Sequence, residues 1–315
     1  MIWGSKRCFL GVVIAAVACA DAAGPRGGGI VELRVAPSQA NPRLTRWTDN
    51  HVIWIDSAAP GSVVLVMLPG TNGVPANARR IGSVAAEQGY RAIGLMYADD
   101  LAVLDACAVD PDPDCMERMR AEISFGESLS PWVDVSFENS IAGRLLDLLR
   151  YLDRTRPTER WNQFVDGATV RWARVAVSGL SQGGGHAAYL AKVRLVARVI
   201  MFGAPADGFD GASAPWMQLG ATPVSRYYGF RHARDPFRSI DANWRALGLE
   251  AFGAARSTDT GDDFGGSHML ITDALPATGS YLAAHPSVYA DGVTPLDLNG
   301  SPRFAAAWRY LFGRP

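Results

Sequence analysis

The amino-acid sequence predicts an α/β architecture: a mainly parallel central sheet with helices on both faces. Three observations carry that expectation. Residues 62–68 form a continuous apolar run, Ser-Val-Val-Leu-Val-Met-Leu, ending at Pro69-Gly70, as a strand buried on both faces should. Strand-like runs alternate with helix-like stretches along the chain, a pattern that builds parallel strands joined by crossover helices. One apolar run beginning at Val175 leads directly into Gly179-Leu180-Ser181-Gln182-Gly183, and a helix-compatible stretch follows over 184–193.

In chain order, residues 30–35 and 52–56 read as short leading strands. The 62–68 strand comes next, then a helix over 77–88 that Gly89 ends, then a strand over 91–97. From 98 to about 135 the chain reads as a long irregular stretch. Residues 138–152 put Ile141, Leu145, Leu146, Leu148, Leu149 and Leu152 on one side of an amphipathic helix. After the strand over 175–180 and the helix over 184–193, residues 197–202 give another buried strand, which ends in Gly-Ala-Pro-Ala-Asp207. A loop through Trp216 leads to a strand over 225–232 and then to Asp235-Pro236. Residues 240–247 read as a short helix, 250–256 as the last parallel strand, and 268–272 as a hairpin arm returning beside it. An amphipathic helix over 302–312 closes the chain. Trp132, Trp161, Trp172, Trp244 and Trp308 read as core or strand-edge residues, while Trp216 lies in a loop able to overhang a site at the strand ends.

The chain has 315 residues, 48% hydrophobic and 19% charged, enough apolar material for a sizeable core. Its formal charge is −1, and it lacks a polybasic run or acidic tail, which argues against nucleic acid or an anionic membrane as partner. Lys6 and Arg7 precede an apolar run over 8–20 that ends in Ala18-Cys19-Ala20, the pattern of a signal peptide and its cleavage site. The expected organisation is therefore a signal peptide over 1–20 and a single domain over 21–315, secreted or periplasmic. The run is too short to span a bilayer comfortably, so no transmembrane segment is expected in the mature chain. Cys19 also loosely fits a lipidation site, although Ala16 stands where such sites carry leucine; a lipid anchor is the alternative to plain secretion.

Cys107 and Cys115 remain in the mature chain. In an oxidising compartment a local disulfide between them is the expected state, with two free thiols as the alternative. Without a nearby histidine they make a poor zinc set. Asp110, Asp112 and Asp114 alternate with Pro111 and Pro113, but lack the glycine and distal glutamate of a calcium loop. They read as solvated carboxylates, and no metal is expected.

The chemistry is concentrated around Ser181. A strand–turn–helix forces the central residue of Gly-x-Ser-x-Gly into strained backbone angles, and its flanking glycines avoid Cβ clashes. The turn holds the hydroxyl clear of the sheet, over a helix N-terminus. To this the chain adds Leu-Pro-Gly-Thr-Asn-Gly at 68–73, Gly-Gly-His-Ala-Ala at 184–188 and His-Ala-Arg-Asp at 232–235. Ala-His-Pro-Ser-Val at 284–288 and Ala-Trp-Arg-Tyr-Leu-Phe-Gly at 307–313 complete the set. Together these resemble the α/β-hydrolase superfamily over nearly all of the mature chain, and in particular a branch of exported bacterial serine hydrolases. The resemblance implies a Ser–His–Asp enzyme that needs no cofactor.

A serine hydroxyl is a weak nucleophile at neutral pH and needs a base within hydrogen-bond reach, itself oriented by a third group. In this superfamily the order along the chain is serine, acid, histidine. Among the five histidines, His51 lies upstream, His186 sits on the helix leaving the turn, and His232 precedes the acid. His285, between the end of the sheet and the closing helix, is the expected base; His268, near the same face, is the alternative. Asp235, just past a strand end, is the expected acid, and Asp207, after the preceding strand, is its rival. The backbone N–H groups of Thr71 and Gln182 are the expected oxyanion donors. The expected reaction is hydrolysis of a small-molecule or polymeric carboxylic ester through an acyl-enzyme. A peptidase or polyester depolymerase on the same triad, or a non-catalytic binding protein of the same fold, are the alternatives.

Overall fold

Nine strands form one sheet in the computed structural model, which describes residue 1 and residues 29–57 and 61–315. The apolar run over 8–20 that reads as a signal peptide, with Cys19, lies outside these residues. Across the sheet the order is β1 (Ile30–Val35), β2 (His51–Asp56), β4 (Arg91–Gly94), β3 (Val64–Leu68), β7 (Val175–Leu180), β8 (Arg198–Phe202), β9 (Tyr227–His232), β11 (Met269–Thr272) and β10 (Arg256–Ser257). The pairings of β1 with β2 and of β2 with β4 are antiparallel. All pairings from β4 to β10 are parallel. A two-residue ribbon, β5 (Val165–Asp166) with β6 (Thr169–Val170), stands apart.

Side chains alternate across a strand, so a strand covered on both faces must be apolar throughout. In β3, Val64, Val66 and Leu68 face one core while Leu65 and Met67 face the other, and all five are fully buried. On the first face lie α3 (Val103–Cys107), α4 (Cys115–Phe125), α5 (Ile141–Thr155), α6 (Gln182–Val193) and α7 (Ser239–Ala246). On the second lie α2 (Arg79–Glu87) and α9 (Ala305–Phe312). The short helices α1 (Pro37–Ala40) and α8 (Ala284–Ser287) occupy connections. The chain is thus an α/β protein with a large, mostly parallel sheet flanked by helices.

Two expectations need correction. The stretch from 98 to 135 is not irregular: it holds α3 and α4, joined by a disulfide between Cys107 and Cys115. The pattern of α4 hides its helicity, because Arg120 and Glu122 are buried beside Met116, Met119 and Ile123. Glu122 spends its carboxylate on the N–H groups of Leu129, Ser130 and Val135 (2.9, 2.9 and 3.1 Å), which fixes the return loop. Between the helices, the carboxylates of Asp110 and Asp112 accept the N–H groups two residues on, at 2.9 and 3.0 Å, as turn-forming aspartates do.

The second correction concerns the far edge. Residues 250–255 do not form a strand, because Leu249–Phe252 is a 3-10 turn set between Gly248 (φ 79°) and Gly253 (φ 94°); the strand is the two-residue β10, which starts only at Arg256. Residues 269–272 are not a returning hairpin arm either: β11 runs parallel to both neighbours and lies between β9 and β10. Met269 packs into one core and Leu270 into the other, which an interior strand requires and an edge arm does not.

Candidate active site

Strand β7 ends at Leu180 and α6 begins at Gln182, so Ser181 alone makes the connection. It takes φ 54° and ψ −121°, left-handed angles that cost a non-glycine residue about 1–3 kcal/mol. Its N–H donates to the Phe202 carbonyl at 2.8 Å, and its own carbonyl accepts from Gly185 N–H at 3.0 Å. The turn closes this tightly because Gly183 lacks a Cβ, which would lie 2.3 Å from the Leu68 carbonyl oxygen.

The end of β3 brings the 69–73 loop against this turn. Tyr97 Oη donates to the Pro69 carbonyl at 2.8 Å, and Asn72 N–H donates to the Asp99 carbonyl at 3.0 Å. Among the described residues, neither Thr71 N–H nor Gln182 N–H donates to a protein acceptor. The Thr71 hydroxyl lies 3.3 Å from Gln182 Oε1, which also accepts Val103 N–H at 2.9 Å.

Helix α8 supplies His285. Its Nδ1 donates to Asp235 Oδ2 at 2.7 Å, and Asp235 Oδ1 accepts Phe237 N–H at 3.0 Å. Both carboxylate oxygens are therefore occupied, and the Asp235 side chain is only 1% exposed. The Phe237 ring stands edge-on to the imidazole, with centroids 4.8 Å apart. His285 Nε2 is buried and makes no hydrogen bond within the described protein. Thr71, Ser181, Gln182 and His285 all line one cavity of about 350 Å³, whose apolar wall includes Val103, Leu104 and Leu180. The structure thus gathers four of the expected residues on a single cavity, with Asp235 directly behind His285.

Asp207 also borders this cavity, but its carboxylate faces other donors. Arg120 Nε reaches Asp207 Oδ2 at 2.6 Å, a second guanidinium nitrogen pairs with Oδ1, and Trp216 Nε1 donates to Oδ2 at 2.8 Å. The remaining histidines are committed to packing. His51 Nδ1 accepts Met96 N–H at 3.0 Å, and burial, followed by the nearby Arg144 charge, pushes its pKa down to about 3. His186 is buried edge-on against Tyr97, and burial, then Arg120, holds it well below the usual imidazole range. His232 Nδ1 accepts Arg234 N–H at 2.9 Å while Nε2 lies 3.1 Å from the Ala274 carbonyl. His268 bonds the Tyr227 carbonyl through Nδ1 at 2.8 Å and is stacked between Tyr228 and Phe252. Tyr227 opens β9, whereas Asp235 follows its end, so His268 sits at the opposite end of the strand from the cavity. It is not near the same face, as the sequence had suggested.

Arg120 and the side-chain role of Gln182 were missed by sequence reasoning. A charged residue spaced among Met116, Met119 and Ile123 was the available signal, and it requires reading the segment as a helix first. Trp216 does not overhang the site; it is buried, with its indole N–H on Asp207. Trp161, Trp172, Trp244 and Trp308 are buried as expected, but Trp132 is not a core or strand-edge residue: it is exposed in the loop after α4, where its indole N–H donates to Asp110 Oδ2 at 2.6 Å.

Among the described residues no cluster of histidine, cysteine, aspartate and glutamate side chains could hold a metal ion, and no helix is long and apolar enough to cross a membrane. Compared with protein-family models and with curated protein sequences, the chain gives no match in either. Any functional reading therefore rests on the site itself. A hydroxyl, an imidazole held by a carboxylate and two uncommitted N–H groups around one cavity are the groups that acyl transfer requires.

Proposed function

We propose that the protein is an exported serine hydrolase of the α/β-hydrolase superfamily that cleaves carboxylic esters through an acyl-enzyme. The observation that supports this reading best is the meeting, on one cavity, of a serine with left-handed backbone angles and an imidazole whose Nδ1–H is held by a buried carboxylate. Ser181 Oγ attacks the acyl carbon as His285 Nε2 takes its proton. Asp235 keeps the other proton on Nδ1 and stabilises the imidazolium that forms. Charge developing on the carbonyl oxygen is met by the N–H groups of Thr71 and Gln182, two cavity-lining residues whose N–H groups have no acceptor among the described residues. The alcohol leaves with the proton from His285. Water, deprotonated by the same nitrogen, then releases the acid and restores Ser181.

Export is supported by the Cys107–Cys115 disulfide, which favours an oxidising compartment. The preference for esters follows from the superfamily resemblance of a single-domain chain. A fluorophosphonate probe tests the reading directly. Wild type should label, Ser181→Ala should not, and p-nitrophenyl ester turnover should fall by at least about 10³-fold in that variant. A wild type that resists labelling overturns the enzyme reading; labelling that survives in Ser181→Ala overturns the choice of nucleophile.

A further inference from the structure

Residue 182 is held from three directions by groups outside its own helix. Arg120, on α4, donates from a guanidinium nitrogen to the Gln182 carbonyl at 3.2 Å. Val103, on α3, donates its N–H to Gln182 Oε1, and the Thr71 hydroxyl approaches the same oxygen. The disulfide ties the end of α3 to the start of α4, so two of these holds come from one closed arm.

Arg120 is itself anchored. Its side chain is 2% exposed, its fork grips the 3% exposed Asp207 side chain, and the Trp216 indole N–H donates to the carboxylate oxygen that Arg120 Nε also contacts. The guanidinium lies flat against the first turn of α6 because residue 185 is glycine: a Cβ there would sit 2.2 Å from an Arg120 terminal nitrogen. Apolar residues of similar volume often serve stability as well as a buried ion pair does. Stability alone therefore gives little reason for an arginine here, whereas the fixed direction of its donors does.

We infer that the disulfide-closed α3–α4 arm forms the outer half of the oxyanion site, with Arg120 and Val103 as positioning residues that immobilise Gln182. This rests on the serine-hydrolase reading and adds to it. The Gln182 N–H shares a peptide plane with the Ser181 carbonyl, which Gly185 N–H holds at 3.0 Å; Arg120 on the Gln182 carbonyl and Val103 on its side chain fix the residue on the other side of that plane, so its Cα cannot shift and tilt the donor. The Thr71 contact links the second donor to the same clamp. Neither positioning residue touches the reacting atoms in this scheme; each acts through Gln182.

Two variants test it. Arg120→Met with Asp207→Asn removes the fork without stranding a buried carboxylate. Val103→Pro removes a single N–H at the first position of α3, where proline fits, and Ala102 before it is already extended (φ −70°, ψ 126°). For p-nitrophenyl butyrate, kcat should fall about 10- to 100-fold in the double variant and about 3- to 10-fold in Val103→Pro, with KM within about threefold. Affinity for phenylboronic acid, whose tetrahedral adduct on Ser181 reaches the oxyanion donors, should fall in parallel, while affinity for butyrate should not. A folded double variant with kcat and boronate affinity within about twofold of wild type overturns the inference, as does a raised KM at unchanged kcat. Should the double variant not fold, the same readings on Val103→Pro decide. A wild type that neither labels with fluorophosphonate nor turns over ester fails at the earlier step, and takes the hydrolase reading with it.

Discussion

His268 and His285 make the same kind of hydrogen bond from the same ring nitrogen, and their surroundings give that bond different consequences. His268 Nδ1 lies 2.8 Å from a backbone carbonyl, that of Tyr227; His285 Nδ1 lies 2.7 Å from a carboxylate, that of Asp235. The two partners flank β9, one opening it and the other following its end. Around His268 the rings of Tyr228 and Phe252 close both faces, with centroids 4.0 and 3.7 Å away. Burial lowers its pKa; the Tyr227 carbonyl opposes this and Arg198 adds to it. Around His285 a buried carboxylate stands ready to stabilise a second proton, and Nε2 belongs to a residue that borders the cavity. A carboxylate meets one ring at its Nδ1, whereas the other meets only a carbonyl and two aromatic faces. What separates them is the end of the strand: loops from the C-terminal ends of parallel strands converge on one crevice.

Removing each ring should expose that difference most sharply. His285→Ala should lower kcat for a p-nitrophenyl ester by about 10³-fold or more with little loss of stability. His268→Ala should keep kcat within about threefold and cost about 1–3 kcal/mol of unfolding free energy, from the lost stacking and bond. Near-normal turnover in His285→Ala reverses the assignment. The two aspartates give the next largest contrast. Asp235→Asn should lower kcat by about 10²- to 10⁴-fold, because the amide no longer selects the Nδ1–H tautomer. Asp207→Asn leaves the buried Arg120 poorly compensated, so it should cost about 3 kcal/mol of stability and reduce kcat less than Asp235→Asn does. A greater kcat loss in Asp207→Asn would make Asp207 the acid. Urea unfolding and steady-state kinetics on the four variants supply both readouts.

Sequence reasoning reached the parts of this molecule that local pattern controls. Val64 to Leu68 is apolar at every step and Val175 to Leu180 is apolar but for the buried Ser178, because both faces are covered, and that signal needs no knowledge of what covers them. Ser181 was legible because two glycines and an apolar strand frame it. Chain order left two histidines standing, since it does not report which end of β9 a later residue reaches. That depended on β11 entering the sheet parallel, and Met269 to Thr272 is too short a run to declare its direction. Arg120 was illegible for a related reason. Its partners, Asp207, Trp216 and Gln182, lie far along the chain, and burial of its charge disguised the helix that carries it.

The smallest expected effect concerns pH, and it opposes a histidine to an aspartate. His268 has a folded pKa below its ordinary 6.5, so on acidification the unfolded chain takes up its proton first. Its contribution is whole above about pH 6.5 and is lost as pH falls through the folded value. Asp99 behaves oppositely. Burial, then the like charge of Asp100, pushes its pKa from 3.8 up to about 7, so the folded state holds a proton that the unfolded chain has released. Its contribution is whole below about pH 4 and is lost as pH rises through about 7. Between pH 5 and 7.5 the two partly cancel in wild type. His268→Phe keeps the stacked ring but cannot titrate, so the loss of stability on acidification should shrink or turn into a gain, the Asp99 contribution being left unopposed. Asp99→Asn should make the same limb steeper. Each change in slope is bounded by about 1.4 kcal/mol per pH unit, the worth of one proton. Urea midpoints read across that range compare slopes rather than levels, so a bond lost in either variant does not confuse the result. An unchanged slope in His268→Phe would mean that its proton is held equally in both states, and that its stacked, buried setting does not resist charge as the contrast with His285 requires.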